Sequence, residues 1–325
     1  MQRNTIASRS KMTPSFQVGD ARITRIPELH WNNADPGHLY PDIDAEALAM
    51  FAPDLTAGSY NAATGLLAQG THAWLVQRPG LTLLIDTATG NDKPLPDAPA
   101  LDHLHTPFLE RLADMGVQPE QVDLVLHTHI HADHVGWNTR LHDGKWVPTF
   151  PNARHIFSAL EAQYGSSNDG VDPAPDLPPG VLGVPNHRPL PRVYTDSILP
   201  VIEAELAQAI EIDGQEIVPG FSFHPTPGHS IDHASIRLQS GGEEAWFTGD
   251  VMHHPLQVYR PDLRSVYCEF IKAAEQSRRW FLAQAAESGS LCFTSHFAET
   301  GAGRVKRRED GFSWEFVQSD QGDIG

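Results

Sequence analysis

His127-Thr128-His129-Ile130-His131-Ala132-Asp133-His134-Val135-Gly136 directly follows a short apolar run, Val122 to Leu126, and its reading decides the fold of the chain. The run has the length and composition of a buried strand, so the string stands where a strand ends. His129 and His131 are two residues apart, and in an extended turn both project to the same side. Asp133 and His134 follow at once and reach a second position if the chain turns there, with Gly136 loosening the exit. Imidazole and carboxylate donors at this spacing are a metal-binding pattern. Two divalent cations would need about four to five N/O ligands each and one shared ligand holding them about 3.5–4 Å apart.

Three further ligand-type residues complete that requirement. His229 follows Thr226-Pro227-Gly228, Asp250 follows Thr248-Gly249, and His296 stands at the end of a strand predicted at Ser290–Ser295. Taken singly, each reads as a loop residue. Together with the first four they fill two coordination spheres.

Strand and helix patterns alternate outward from this string, which predicts an α/β protein. Phe16 to Leu29 reads as strands around a Gly19-Asp20 turn. His72 to Gln77 and Leu81 to Asp86 read as strands joined at Arg78-Pro79-Gly80. Residues 31–70 read as surface loops with a short helix near Asp44–Met50, and a further helix follows Pro107. Periodicity predicts a helix over Asp196–Glu211 and the longest helix over Tyr267–Ala286. Strands are predicted at Ile217–His224, Ala234–Leu238, Glu244–Thr248 and Phe312–Val317. Residues 1–14 read as a flexible tail and 15–325 as one domain, with a proline-rich insertion near 165–192.

Composition narrows the chemistry. The 325 residues include 23 Lys+Arg against 41 Asp+Glu, a formal charge of -18 that disfavours nucleic acid and anionic membrane surfaces. Two cysteines, Cys268 and Cys292, are too few for a disulfide scaffold. The 18 histidines are numerous and partly clustered, as at a metal site. Neither a secretory apolar run nor a membrane-length one is present, so a soluble, cytoplasmic protein is expected.

The strings HTHIHADHVG, TPGHS, FTGD and TSH resemble, in order and spacing, the metallo-β-lactamase superfamily from about residue 16 to 320. The resemblance implies an αββα sandwich with metals at one edge of the sheets. By position it gives His129, His131 and His229 to one metal and Asp133, His134 and His296 to a second, with Asp250 bridging. Asp86, in LIDTATG, matches an aspartate that orients the ligands. A water shared by two cations becomes the nucleophile, oriented by Asp133. His253 is a candidate pocket residue able to donate to a leaving group or oxyanion. His254 is a weaker candidate of the same kind, and His127 reads as a packed strand residue.

Departures within the superfamily select a branch. Dinuclear class B β-lactamases lack the bridging aspartate, and flavo-diiron reductases carry Glu where His131 stands. Acyl-homoserine lactonases carry a tyrosine where His253 stands, whereas GDVMHHPLQ is similar to the methyl parathion hydrolase branch. The resemblance therefore implies a dinuclear hydrolase of esters or lactones, with phosphotriesters also in reach. Its cofactor would be two divalent ions, zinc first, with Mn, Co or Fe accepted by the same donors. A homodimer acting on a small molecule is implied. The alternatives are a glyoxalase II-like thioester hydrolase, a mononuclear iron persulfide dioxygenase and a non-catalytic scaffold.

Overall fold

The computed structural model describes residues 14–175 and 182–319. The tail expected at 1–14 lies outside the described residues except for Pro14. The first half supplies β1 (Ser15–Val18), β2 (Ala21–Ala34), β3 (Tyr60–Asn61), β4 (Leu66–Arg78), β5 (Leu81–Ile85) and β6 (Leu124–Leu126). A small hairpin, β7 (Thr139–His142) with β8 (Lys145–Pro148), precedes β9 (Arg154–Ser158) and β10 (Ala207–Ile210). The second half supplies β11 (Glu216–Val218), β12 (Phe221–Pro225), β13 (Ala234–Ser240), β14 (Glu243–Phe247), β15 (Leu291–Phe293), β16 (Ala302–Arg308) and β17 (Gly311–Phe316).

Two sheets result. The first runs β1-β2-β4-β5-β6-β9-β10 with β3 on β4, and the second runs β11 to β17 in order. Most strands that carry the site are in parallel pairs, β5 with β6 and β6 with β9 in one sheet and β14 with β15 in the other, while β12 is antiparallel to both its neighbours.

Strict alternation on strands buried on both faces makes the layers. On β4 and β5, Trp74, Val76, Leu83 and Ile85 point into a core shared with Phe221, Phe223, Ile236, Phe247 and Phe293 of the second sheet. Their neighbours Leu75 and Leu84 point the other way and pack with Phe108 and Leu112 of the helix Phe108–Asp114. On the far side Trp246 and Cys292 pack with Phe281 and Leu282 of the helix Ile271–Ser288. Helix, sheet, sheet and helix are thus stacked as an αββα sandwich. Phe293 ties the sheets together, with its ring 4.9 Å from Trp74 and 5.2 Å from Phe247. Burying such a side chain is worth about 1.5–3 kcal/mol.

Several expectations need correction. Asp196–Glu211 is no single helix: a π turn, Tyr194–Ile198, leads into a short helix, Leu199–Glu203, and then β10. β10 pairs in parallel with β9, and that long-range pairing overrides the local helical spacing. Ile217–His224 is a hairpin, broken at Pro219-Gly220. β2 and β4 run further into residues 31–70 than expected, and β16 had no sequence signal of its own. The predicted insertion begins inside a helix, Ala159–Asn168. The longest helix starts at Ile271, and Tyr267 to Phe270 form a turn and a bend ahead of it. No helix among the described residues is long and apolar enough to cross a membrane, and both cysteines are buried and free.

Candidate metal centre

All seven predicted donors meet at the carboxyl ends of β6, β12, β14 and β15, where the two sheets share an edge. The chain turns sharply after each strand, which swings the polar side chains over that edge. Gly228 shows why glycine is required in such a turn. It has φ +126, and a Cβ there would lie 2.0 Å from the backbone nitrogen of Ala274. Gly249, at φ +53, lies so close to His233 that a Cβ would fall 2.4 Å from its Nε2.

The donors form two groups. In the first, His229 Nε2 lies 2.8 Å from His131 Nδ1 and 3.1 Å from His129 Nε2. In the second, Asp133 faces His134 Nε2 at 3.9 Å and His296 Nε2 at 3.6 Å. Asp250 lies between them. Its Oδ1 is 3.2 Å from His134, and its Oδ2 is 2.7 Å from His296 and 3.4 Å from His229.

The far side of each ring fixes which nitrogen faces inward. Asp86 accepts from His134 Nδ1 at 2.8 Å and from Thr128 Oγ1 at 2.8 Å. With its proton spent on Asp86, Thr128 Oγ1 accepts from His129 Nδ1 at 3.0 Å. His296 Nδ1 donates to the Gly70 carbonyl at 3.0 Å, and His131 Nε2 donates to Glu269 Oε1 at 2.7 Å. Each of these four rings therefore turns a lone pair inward. At most one of the two short nitrogen–nitrogen contacts at His229 can then carry a hydrogen. The buried Nε2 of His134 and Oδ1 of Asp250 have no hydrogen-bond partner. Lone pairs converging in a buried space repel one another unless a cation lies between them, so this donor set fits divalent metal ions.

Burial pulls all five donor imidazoles down, but carboxylates outweigh it at three of them, Glu269 at His131 and Asp250 at His134 and His296, whereas His129 and His229 fall well below the usual histidine range. Burial raises the pKa of Asp86, but His134 and His127 outweigh it and hold the carboxyl down at about 2. Burial, with neighbouring imidazoles, pushes His129 well below the usual histidine range, which keeps it a neutral donor.

The family profile described as "Metallo-beta-lactamase superfamily" matches residues 67–296. The chain belongs to that superfamily. Among solved structures it is similar to AidC, a dizinc quorum-quenching lactonase in complex with a product, N-hexnoyl-L-homoserine. That match is 20% identical, spans 94% of this chain and 97% of the other, and has a TM-score of 0.73. The hydrolase AbOPH of the β-lactamase superfamily is 25% identical over 97% of this chain and all of its own, with a TM-score of 0.73. An N-acyl homoserine lactone hydrolase with N-hexanoyl-L-homoserine bound at its catalytic metal centre is 17% identical. It spans 87% of this chain and 94% of its own, at a TM-score of 0.57.

The remaining candidates separate within this metallo-β-lactamase frame. His253 is buried against the donors, with Nε2 3.4 Å from Asp250 Oδ2 and both ring nitrogens unpartnered. His254 is spent on structure: Nε2 bonds the Ser59 carbonyl at 2.9 Å, and Nδ1 accepts from Leu256 N at 3.1 Å. His127 is buried and stacks on His155, one residue past the end of β6 rather than within a strand.

Three residues at the site escaped the sequence reading. His233 Nε2 accepts the Asp250 amide at 2.8 Å, so this buried ring holds the backbone of the central carboxylate. Its own signal was the second histidine of the string His229-Ser230-Ile231-Asp232-His233. Tyr267, 45% exposed, lies with its ring 5.5 Å from His253. Glu269 is fully buried behind His131. Neither Tyr267 nor Glu269 stands in a local pattern that marks it.

Proposed function

We propose that the protein hydrolyses a carboxylic ester or lactone at a pair of divalent cations, zinc being the first choice. One observation carries this reading: a single carboxylate, Asp250, touches members of both donor groups, within 3.4 Å of His229 and 2.7 Å of His296. In this reading His129, His131 and His229 hold one cation, Asp133, His134 and His296 hold the other, and Asp250 joins them.

When bound, such cations supply the Lewis acidity that lowers the pKa of a water to about 7 and polarises the scissile carbonyl. The chain's own groups do the rest. The Asp133 side chain is the most exposed of the four site carboxylates at 21%, so its carboxylate faces the opening and accepts a hydrogen bond from the attacking water. His253, with both ring nitrogens unpartnered, donates to the oxygen on which charge develops. Tyr267 walls the approach to His253 and shields it from bulk water.

Lactones rank first among substrates because AidC is a dizinc lactonase and another similar structure holds a homoserine product at its metal centre. Phosphotriester cleavage is the side activity suggested by GDVMHHPLQ. A homodimer belongs to the same reading and is checked by light scattering of the purified chain. A mononuclear iron oxygenase would leave one donor group without use, which disfavours it here.

The test is a panel of an N-acyl homoserine lactone, an aryl ester and an aryl phosphotriester, with metal content measured on the same sample. Hydrolysis of the lactone or ester by protein carrying two ions per chain supports the reading. Loaded protein that cleaves none of the three overturns it.

A further inference from the structure

Glu269 is fully buried, with Oε1 on His131 Nε2 at 2.7 Å and Oε2 without any hydrogen-bond partner. A carboxylate with one satisfied oxygen is expensive to bury, and stability alone would favour an apolar residue there. Its placement accounts for the cost. A carboxylate can only accept, so it forces the proton of His131 onto Nε2 and turns the Nδ1 lone pair toward His229 Nε2, 2.8 Å away.

The backbone of the same residue reaches two other parts of the site. Glu269 N donates to the His229 carbonyl at 3.0 Å, and the next residue, Phe270, donates to the Gly228 carbonyl at 2.8 Å. Glu269 O accepts from Asn186 N at 2.6 Å, and Asn186 belongs to the proline-rich insertion. Leu182 of that insertion packs on the cluster of Tyr164, Ile231, Phe270 and Ala273. One residue therefore touches two donors of the first group and the insertion at once.

We propose that Glu269 is the positioning residue of the His129–His131–His229 group, and that it couples the docking of the insertion to that group's affinity for its cation. This rests on the ligand assignment made above. The second group, Asp133, His134 and His296, is oriented separately by Asp86 and Gly70, so the two cations should respond differently to changes at Glu269.

The test uses the full chain stripped by a chelator and titrated with Co(II), followed by visible absorption and by the number of ions retained. In Glu269→Gln the amide oxygen still accepts from His131 but the charge is gone. One of the two ions should weaken about 10-fold, and in Glu269→Leu about 100-fold, the other being unchanged. Asn186→Pro removes the amide hydrogen that reaches Glu269, and should weaken the same ion about 3-fold. In a His296→Ala background, which leaves the first group alone, the Gln effect should persist in full.

Equal weakening of both ions in Glu269→Gln overturns the assignment, as does unchanged binding of both. Unchanged binding in Asn186→Pro overturns the coupling to the insertion. A wild-type chain that holds only one ion would count against the two-cation reading instead. The affinity of that one ion in Glu269→Gln would still decide the role of Glu269.

Discussion

The two halves of the sandwich furnish the same centre in opposite ways. The first half delivers His129, His131, Asp133 and His134 on one loop after β6, which Asp86 braces at Thr128 and His134 while Glu269 holds the ring of His131. The second half delivers His229, Asp250 and His296 from three separate strand ends, each braced by a different neighbour. His233 holds the amide of Asp250, Gly70 holds His296, and Glu269 holds the carbonyl of His229. In the concentrated set one brace serves several neighbouring residues, whereas a dispersed set depends on the register of a whole sheet.

The largest effect should come where the halves meet. Asp250→Asn should lower kcat/KM by about 10³-fold, roughly 4 kcal/mol of transition-state stabilisation, with metal content falling in parallel. Full turnover with both ions retained would break the claim that the halves share this residue. Next, His131→Ala and His296→Ala should each reduce the chain from about two ions to about one, measured by elemental analysis after gel filtration. Loss of both ions from either variant would mean that the groups are not separable.

The braces come third. Asp86→Asn should weaken metal binding by about 10–100-fold, since one change loosens Thr128 and His134 together. His233→Ala should cost less, nearer about 10-fold, because it disturbs only one of three dispersed donors. Equal losses would erase the contrast between the halves. The smallest effect is expected at His254→Gln. Its ring bonds only Ser59 and Leu256, so kcat/KM should stay within about 2-fold while the melting temperature drops by a few degrees, roughly 1 kcal/mol.

The same contrast explains what the sequence revealed. The loop after β6 is legible because its donors are contiguous and the strand feeding it is a plain apolar run. His229, Asp250 and His296 are legible only once strand ends are assigned, since each is otherwise one polar residue in a turn. Tyr267 and Glu269 were hidden by the boundary of a helix. With the helix started at Tyr267, Glu269 reads as a first-turn acid on a solvated face, favourable to the dipole and chemically idle. The structure starts the helix at Ile271, and the four residues before it run into the site. β10 was hidden for a different reason: its identity depends on β9, about 50 residues upstream in the chain, and local spacing is blind to such a partner.

The rings of His129 and His229, 100 residues apart in sequence, come within 3.1 Å at the shared edge. In the language of polymer physics, an ion held by both is a reversible cross-link that closes a long loop. Closing a loop of about 100 residues removes roughly 4–5 kcal/mol of entropy from the unfolded chain. The catalytic ions would then also clasp the two sheets. Chelation should lower the melting temperature as well as abolish turnover, and the first half expressed alone should hold its cations poorly even though it carries four of the seven donors.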